Sequence, residues 1–367
     1  MIFGLSLLSL GHLLLASATT TTKFPNAVVN GSVRAESVLN GGLDWPKLFP
    51  GANDTAYDWW YFDAVSASTN QSVAVVLYNS GSKGFDGGFL DGPLSASISG
   101  SFANGSTFAL NVPATEGAII TTSNSGISGN WKGSGFTFHG TSLSKPSPIY
   151  TVTINSPAIS VSGTISLTSR APPHLPCGQN IRGGKEELLP HVFWSNAVPD
   201  ASATINLDIS GTKIRFNDGV GYHDKNWGDK PFVTTVSSWY WGHARLGPYS
   251  VVWFDARDIA GTEYVSAYVV KDRKVVNSGC DHDVVQVRPW GKNNDYPPTA
   301  KTGVMQGLDI HFNLGDKTTL SVNVTTGLLL VNMPSYVRAE GRVKGILHGV
   351  KSREVYNGVA LFEEFKF

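Results

Sequence analysis

This sequence has little charge and no excess of either sign. Only 15% of its 367 residues are charged, and 28 basic side chains balance 28 acidic ones to a formal net charge of zero. No bulk electrostatic field therefore attracts the chain to nucleic acid or to an anionic membrane. Neither class of partner is predicted, and the sequence carries no signal for an oligomeric state.

The common catalytic motifs are also absent. The chain has no Walker A loop, no dinucleotide-binding Gly-x-Gly-x-x-Gly after a strand, no His-Glu-x-x-His and no Cys-x-x-Cys. It also has no Gly-x-Ser-x-Gly between a strand and a helix. These motifs mark nucleotide, zinc and serine-hydrolase sites. Their absence argues against those three functions.

The candidate metal ligands are neighbours in the sequence. His223 precedes Asp224, and residues 281–283 read Asp-His-Asp. Neighbours in a strand point to opposite faces, so neither group forms a one-sided ligand cluster. We predict no metal site and no cofactor, and we expect a solvated turn at residues 281–283.

Glycine and aromatic residues, in contrast, are abundant. The chain has 40 Gly, 10 Trp, 12 Tyr and 18 Phe residues. This composition is typical of many short strands joined by tight turns, and it predicts an all-β fold. A chain of this length is at the upper limit for one hydrophobic core, which favours two domains.

The first 18 residues form a predicted secretion signal. Residues 2–15 are an apolar run that is too short for a membrane span. Ala16, Ser17 and Ala18 supply the small residues that signal peptidase recognises, although a basic segment before the run is missing. We expect a mature protein that is secreted or held in an endomembrane or vacuolar lumen.

Two further features fit an oxidising compartment. The two cysteines, Cys177 and Cys280, can form one disulfide that closes a loop of about 100 residues and joins the two halves of the chain. Two separate buried thiols are the alternative. N-glycosylation sequons begin at five positions, which are Asn30, Asn53, Asn70, Asn104 and Asn323.

Short β runs follow each other along most of the chain. Gly, Asn, Ser and Pro interrupt them every ten or so residues between 59 and 165, a spacing typical of sandwiches and barrels. The segment 171–199 is rich in Pro and Gly and resembles an inter-domain crossing, with one helical turn at 185–189. We predict a β-rich domain at 23–199 and a second at 200–367, with an apolar pocket inside one or between them.

The densest polar and aromatic stretch is residues 219–229. Tyr222, His223, Asp224 and Asn226 lie within it, with glycines on both sides. Such a run suits the wall of a pocket. A buried, hydrogen-bonded corner that fixes two strands requires the same residue types, so both interpretations stay open.

Two Trp-rich stretches have the alternation of half-buried strands. In 239–245, one face carries Trp239, Trp241, His243 and Arg245, whereas Tyr240 lies on the other. In 58–63, Asp58, Trp60 and Phe62 face one way and Trp59, Tyr61 and Asp63 the other. Core packing explains the Trp rings, but the polar groups on the same faces need partners.

The sequence resembles the lipocalin-like superfamily that contains hydroxyneurosporene synthase, a carotenoid hydratase, and the fungal Diels–Alderases. The resemblance lies in residues 58–63, in 219–228 and in the Trp-rich strand that follows. The shared core is Gly-Tyr-His-Asp-x-Asn-Trp-Gly, written here as Gly-Tyr-His-Asp-Lys-Asn-Trp-Gly. The resemblance implies two barrel or sandwich domains, a hydrophobic pocket and no cofactor.

The leader and the intact motif look most similar to secreted fungal hetero-Diels–Alderases. That likeness implies that the chain joins a tropolone- or phenol-derived quinone methide, an electron-poor heterodiene, to a sesquiterpene olefin such as humulene. Such a cycloaddition needs orientation and a hydrogen bond to the heterodiene oxygen rather than a nucleophile. An intramolecular cyclase that forms a decalin from a polyene, a terpenoid or carotenoid hydratase, a carrier of hydrophobic ligands and a structural glycoprotein are the alternatives.

Site roles follow from this hypothesis. Tyr222, His223, Asn226 or His243 would donate the hydrogen bond, and His223 with Asp224 would act as an acid–base pair. A hydratase would instead use Asp224 or Asp58 as its acid. The predicted substrate-binding residues are Asp58, Trp60, Tyr61, Trp227, Trp239, Trp241 and Arg245.

Overall fold

The computed structural model describes residues 19–85, 92–350 and 354–367. The predicted secretion signal at 1–18 lies outside these residues. Within them the chain forms strands and two single-turn 3-10 helices, Pro157–Ile159 and Phe232–Thr234. The all-β fold expected from the composition is therefore confirmed.

Most strands of the first half join one large sheet. Two short strands, β2 Arg34–Ala35 and β3 Leu48–Phe49, pair only with each other. The first sheet contains β1 Thr20–Phe24, β4 Tyr57–Ser66, β5 Ser72–Ser80, β6 Leu94–Ser101, β7 Thr107–Pro113, β8 Ala118–Ser123, β9 Gly126–Trp131, β10 Phe136–Thr141, β11 Ile149–Ser156, β12 Val161–Ser169, β13 His174–Leu175, β14 Gly178–Gln179, β15 Glu187–Leu189, β16 Val192–Ile209 and β17 Thr212–Gly228.

The remaining strands form a second sheet, in the order β21-β20-β19-β18-β26-β25-β24-β23-β22. Its members are β18 Val236–Leu246, β19 Tyr249–Asp258, β20 Glu263–Lys271, β21 Lys274–Gly279, β22 Val285–Trp290, β23 Gly307–Gly315, β24 Thr318–Met333, β25 Tyr336–His348 and β26 Glu354–Lys366. Its strands β18 and β26 form an antiparallel ladder near the centre of the sheet.

The first sheet curls around its own core. Its main path runs β1-β8-β9-β10-β11-β12-β16-β17-β4-β5-β6-β7. Trp60 on β4 nevertheless touches Trp131 on β9, with ring centroids 5.2 Å apart, although five strands separate them in the sheet. Only a strongly curved sheet brings these two strands face to face.

Alternation along β4 and β18 places a third apolar cluster between the sheets. Trp60 is in the core of the first sheet, whereas Trp59 and Tyr61 are in the cluster between the sheets. On β18, Trp239 and Trp241 face the first sheet, and the intervening residues face the core of the second. The faces predicted for both Trp-rich stretches are confirmed.

The division of the chain differs from the boundary predicted at residues 199 and 200. Strand β16 runs through that position without a break and pairs with β17 in the first sheet. The change of sheet instead falls between Gly228 and Val236. The helical turn expected at 185–189 is wrong as well, because Leu189 pairs with Val192 as part of β15. The prolines near residues 185–189 indicate irregular backbone, but residues 187–189 pair with β16 and form a strand.

The predicted pairing of the two cysteines is confirmed. Cys177 and Cys280 form a disulfide, with Cα atoms 4.8 Å apart and a separation of 103 positions in the sequence. Cys177 follows β13 of the first sheet, and Cys280 follows β21 of the second. The bond therefore joins the two sheets covalently.

Removing this bond is expected to destabilise the protein without changing its fold. The variant Cys177→Ser with Cys280→Ser should lose about 2–4 kcal/mol of unfolding free energy, because the unfolded chain regains the freedom of a long loop. Urea denaturation of the variant and of the oxidised wild type measures the difference. The wild type treated with a reductant is the control, and equal stability of all three samples would contradict the prediction.

Among the described residues, none of the helices has the length and hydropathy needed to cross a membrane. The expected solvated turn at residues 281–283 is also found, and its three side chains are exposed.

Candidate active site in the cleft between the sheets

Strand β17 presents the central motif to two different environments. Tyr222 packs in the cluster between the sheets, and Asp224 bonds to Trp194 of that cluster. His223 stacks on Phe62, which belongs to the core of the first sheet. The acid–base pair expected from His223 and Asp224 is therefore not formed, because neighbouring residues of a strand point to opposite faces.

Asp224 is the centre of a buried hydrogen-bond network. The indole Nε1 of Trp194 donates to its Oδ2 at 2.7 Å, and the hydroxyl of Tyr222 donates to the same oxygen at 2.8 Å. The amide of Asn226 donates to Oδ1 at 2.8 Å. Burial nevertheless raises the pKa of Asp224 to about 8. The protonated form of this carboxyl group therefore predominates at pH 7.

Asp224 should make the stability of the protein depend on pH. Its folded-state pKa of about 8 lies above the ordinary value of 3.8, so the folded state binds this proton more tightly than the unfolded state does. The resulting stabilisation is complete below about pH 4 and is lost as the pH rises through about 8. Asp224→Asn should therefore make the unfolding free energy fall less steeply between about pH 5 and 8, as measured by urea denaturation.

Other buried carboxyl groups limit how flat that profile can become. Burial raises the pKa of both Asp255 and Glu186 to about 7, and both residues remain in the Asp224→Asn protein. The contribution of Asp224 is therefore the difference between the wild type and the variant in the slope of unfolding free energy against pH. Parallel profiles for the wild type and the variant would show that Asp224 is ionised throughout this range.

His243 and Arg245 are each bound to a carboxylate of the first sheet. The Nε2 of His243 donates to both oxygens of Asp63, at 2.9 and 3.0 Å, and its ring stacks on Tyr222 with centroids 4.7 Å apart. Arg245 holds Asp200 through two Nε contacts of 3.1 and 3.0 Å. Both residues connect β18 to the first sheet.

Several predicted substrate-binding residues instead form ion pairs or hydrogen bonds within the first sheet and with its loops. Asp58 forms a fully buried ion pair with Lys225. The indole of Trp60 donates to the carbonyl of Asp44 at 2.7 Å, and that of Trp227 donates to the carbonyl of Glu36 at 2.7 Å. These three side chains fix loops against the sheet, and none of them lines the cleft described next.

A cleft lies where β4–β7 of the first sheet face β24–β26 of the second. It is mostly aromatic, with a small set of polar groups on its floor. Its lining residues are Trp59, Tyr61, Val76, Tyr78, Phe85, Ser97, Ile98, Ser99, Ala109, Leu110, Asn111, Val331, Tyr336, Arg338, Glu363 and Phe365. Tyr61 is the member of the predicted site that reaches it.

The polar floor of the cleft is centred on Arg338. Its Nε donates to Glu363 at 2.7 Å, and its Nη1 donates to Ser99 Oγ at 3.0 Å. The guanidinium carbon lies 5.1 Å from the ring centroid of Tyr61. With five N–H donors on a planar fork, Arg338 keeps donors available for a ligand oxygen.

Tyr61 supplies a second donor, and its hydroxyl is unusual. It is buried and makes no hydrogen bond to any other described residue. An unbonded buried hydroxyl costs free energy, so the Tyr61 hydroxyl would gain from a hydrogen bond to a ligand oxygen or to a water. Burial raises its pKa well above 10, which keeps the proton on the oxygen. Burial likewise raises the pKa of the neighbouring Tyr78 to about 12.

Aromatic rings from both sheets form the walls. Trp59 and Phe85 lie 4.6 Å apart between centroids on the first-sheet side, and Tyr336 stacks on Phe365 at 4.3 Å on the other. Phe85 meets Phe365 across the cleft at 6.0 Å. The enclosed cavity measures only about 40 Å³. Small-molecule sites usually occupy about 300–1,000 Å³, so a ligand of that size can enter only if the walls separate.

Trp239 and Trp241 stand behind this cleft rather than in its lining. Trp241 packs between Tyr61 and Tyr222, at centroid distances of 5.3 and 5.0 Å. Trp239 contacts Phe365, whose ring lines the cleft, at 5.7 Å. The two indoles support the walls that a substrate would touch.

Sequence reasoning missed Arg338 and Glu363. Both lie in strands that read as ordinary half-buried segments, and β25 and β26 are paired with each other in the second sheet. One signal was available: strand alternation places Arg338 on the same face as Tyr336, whereas apolar residues occupy the positions on either side of it. Among the described residues, no group of three or more His, Cys, Asp or Glu side chains could hold a metal ion.

Comparisons with known proteins place these observations in a family. The model of the Diels-Alderase-like family matches residues 18–311. The quinolone epoxide rearrangement protein penF of Penicillium thymicola is 40% identical over 89% of this chain and 89% of its own length. Its counterpart asqO of Emericella nidulans is 37% identical over 96% and 95%. The Diels-Alderase pyiF of Pyricularia grisea is 26% identical over 66% and 58%.

Solved structures show the same fold. The crystal structure of CghA with Sch210972 superposes with a TM-score of 0.75 at 15% identity, over 95% of this chain and 98% of that one. Kievitone hydratase from Nectria haematococca gives a TM-score of 0.51 at 12% identity, over 94% and 97%. At such low identity the likeness concerns the fold alone.

Proposed function

Since this chain belongs to the Diels-Alderase-like family, we propose that it is an isomerase of the pericyclase kind that rearranges a quinolone epoxide in the cleft between its sheets. Two relatives of 40% and 37% identity, aligned over nearly their whole length, are named for that reaction. One structural observation supports it most: the buried hydroxyl of Tyr61, without a partner among the described residues, beside Arg338 in an aromatic cleft.

The walls suit a flat bicyclic substrate. A quinolone ring would lie between Trp59 and Phe85 on one side and Phe365 on the other, where offset stacking is favourable. Its carbonyl oxygen would accept a hydrogen bond from the guanidinium of Arg338. Glu363 holds that guanidinium in place, so the substrate is oriented before reaction.

The chemistry needs stabilisation of charge rather than a co-reactant. In an epoxide rearrangement to a carbonyl compound, one C–O bond breaks and a neighbouring group migrates with its bonding electrons to the electron-poor carbon. The oxygen forms a C=O double bond to the carbon that the group left, so all atoms of the substrate are retained. Tyr61 would donate a hydrogen bond to the oxygen as negative charge develops on it. The faces of Trp59 and Phe85 would stabilise the positive charge on carbon.

A cycloaddition is the second candidate. The name of the family and the Diels-Alderase of Pyricularia grisea favour it. In its hetero-Diels–Alder form, the chain would join a tropolone- or phenol-derived quinone methide to humulene. Arg338 and Tyr61 would then bind the oxygen of the heterodiene. The two reactions differ in product mass, because a rearrangement keeps the mass of one substrate and an intermolecular addition sums two.

The full-length protein from a secretory fungal host would test both functions. It would be incubated with a racemic aryl quinolone epoxide and, separately, with an ortho-quinone methide and humulene, and products would be separated by chiral chromatography with mass detection. We expect faster formation of one enantiomer of an isomer of the epoxide. Racemic product at the uncatalysed rate from the epoxide, with one enantiomer of an adduct from the second mixture, would replace the first proposal with the second.

We also propose that the chain enters the secretory pathway. Asn30, Asn70 and Asn104 are exposed, so a glycan on each is compatible with the fold. The amide of Asn53 donates to the carbonyl of Gly31 at 2.9 Å, and that of Asn323 lies within β24 and donates to Asp309 at 2.7 Å. We expect glycans at the three exposed sites and not at Asn53 or Asn323.

Peptide mapping after enzymatic deglycosylation in ¹⁸O-labelled water measures the occupancy of each sequon. Deamidation in labelled water without the glycosidase is the control. Unmodified asparagine at all three exposed sites, in protein recovered from the secretory pathway, would contradict the prediction.

A further inference from the structure

A second cavity, on the other side of β4 and β17 from the cleft, is not used by the proposed reaction. It measures about 420 Å³, which is within the usual range for small-molecule sites. Residues 40–45 form one side of it, and the turns that follow β8 and β10 form the other. Tyr150 on β11 and Asn180 complete its lining.

We propose that this cavity binds a neutral, polyhydroxylated ring, such as a pyranose sugar, independently of the reaction in the cleft. Its lining is rich in side chains that both donate and accept hydrogen bonds, and its one carboxylate is Asp44. The uncharged polar groups are Asn40, Asn124, Asn180, Ser123, Ser142, Ser144 and Thr141. Hydroxyl groups of a ligand match this mixture of donors and acceptors.

The floor of the cavity is a built site rather than a loose surface. Asp44 is 2% exposed, and its Oδ2 accepts the hydroxyl of Tyr150 at 2.6 Å. The Nε2 of His223 lies 3.6 Å from the same oxygen. Burial opposes ionisation of Asp44, but the neighbouring His223 and the hydrogen bond from Tyr150 outweigh it, and the pKa of the carboxyl is below its usual value. A fixed carboxylate is a strong acceptor for ligand hydroxyls.

The imidazole of His223 is itself held in place. Its Nδ1 lies 2.8 Å from the carbonyl oxygen of Tyr61, and because a carbonyl only accepts, Nδ1 carries a hydrogen and donates. Its Nε2 is buried and has no hydrogen-bond partner among the described residues. His223 therefore lies behind Asp44 with one ring nitrogen unbonded.

Trp45 supplies the apolar surface that a sugar ring needs. Its indole lies directly against Gly41 and Gly42, where a Cβ atom on either glycine would overlap the ring. The two glycines thus let the indole sit against the loop backbone, and the same side chain lines the cavity. The C–H face of a pyranose stacks on such an indole while its hydroxyls reach the polar rim.

Saturation-transfer NMR and calorimetry on the full-length, enzymatically deglycosylated protein would test the proposal. The probes are mannose, N-acetylglucosamine and, as a ring with one hydroxyl, cyclohexanol, each at about 10 mM. We expect saturation of at least one sugar and none of cyclohexanol. No transfer to either sugar, or equal transfer to cyclohexanol, would overturn the proposal.

Variants locate the binding. Trp45→Ala and Asn124→Ala, at half-buried and exposed positions, should weaken sugar binding by about tenfold and about threefold. Asn294→Ala, at an exposed position outside the cavity, and Tyr61→Phe, in the cleft, should leave it unchanged. Sugar binding that survives in Trp45→Ala, or that is lost in Tyr61→Phe, would assign the sugar to another place and overturn the proposal.

Discussion

Replacing Tyr61 with Phe is expected to lower kcat for the epoxide rearrangement by about 100-fold, which is the usual effect of removing one donor to a developing oxyanion. The change deletes only a hydroxyl that makes no bond to other described residues, so no internal hydrogen bond is lost. Stability should stay the same or increase slightly, because an unbonded buried hydroxyl is itself unfavourable. Steady-state kinetics together with thermal unfolding separate the two effects.

Tyr57 offers a matched control for this experiment. Its hydroxyl is also buried and without a hydrogen-bond partner among the described residues, but Tyr57 does not line the cleft. Tyr57→Phe should therefore keep the full rate. A rate in Tyr61→Phe equal to that of the wild type, or an equal loss in both variants, would remove Tyr61 from the mechanism and leave Arg338 as the remaining donor.

Replacing Lys225 with Met is expected to cost about 3–5 kcal/mol of unfolding free energy, the usual result of removing one partner from a buried ion pair. Lys225 and Asp58 are both fully buried and paired with each other. The ammonium group also lies 3.2 Å from the centroid of the Trp60 ring. Without Lys225, the Asp58 side chain retains one backbone bond, from the amide of Lys47 at 3.3 Å.

Urea denaturation measures this loss, and two further variants interpret it. Lys213 is exposed on the same strand as Lys225 and forms an ion pair with the half-buried Asp208 of β16, so Lys213→Met should change the stability far less. Adding Asp58→Asn to Lys225→Met removes the unpaired charge and should recover part of the loss. Equal unfolding free energies for Lys213→Met and Lys225→Met would show that the buried ion pair stabilises the fold no more than the surface pair does.

The same variant tests the division of the central motif into two faces. Lys225 points away from the cleft, so the folded fraction of Lys225→Met should keep its rate in the epoxide assay. A proportional loss of activity per folded molecule would mean that the first-sheet face of β17 contributes to the reaction.

Several features could be predicted from residues alone because they depend on local chemistry. The abundance of Gly and aromatic residues indicated an all-β fold, and the period of two in 58–63 and 239–245 assigned the faces of Trp60 and Trp241 correctly. The motif at 219–228 carried a resemblance that the family match confirms. Two cysteines allowed either one bond between Cys177 and Cys280 or two separate thiols, and the structure contains the bond.

The composition of the site could not be predicted in this way. Arg338 and Glu363 come from strands more than 250 positions after Tyr61, and only the packing of β25 and β26 against the first sheet brings them beside it. Nor does the sequence of the motif show that Asp224 and His223 end in different environments. Each of those environments is formed by strands and loops that are remote in the chain.

The sequence by itself thus determined the all-β class, the alternation along each Trp-rich strand and the membership of the family, because composition and a period of two act over a few residues. The tertiary structure decided which face of β4 lines the cleft and which face packs in the core of the first sheet. Curling of the first sheet buried Trp60 and Lys225, whereas docking of the second sheet on the opposite face left the hydroxyl of Tyr61 beside Arg338. That choice depends on contacts between distant strands, and no short stretch of sequence records it.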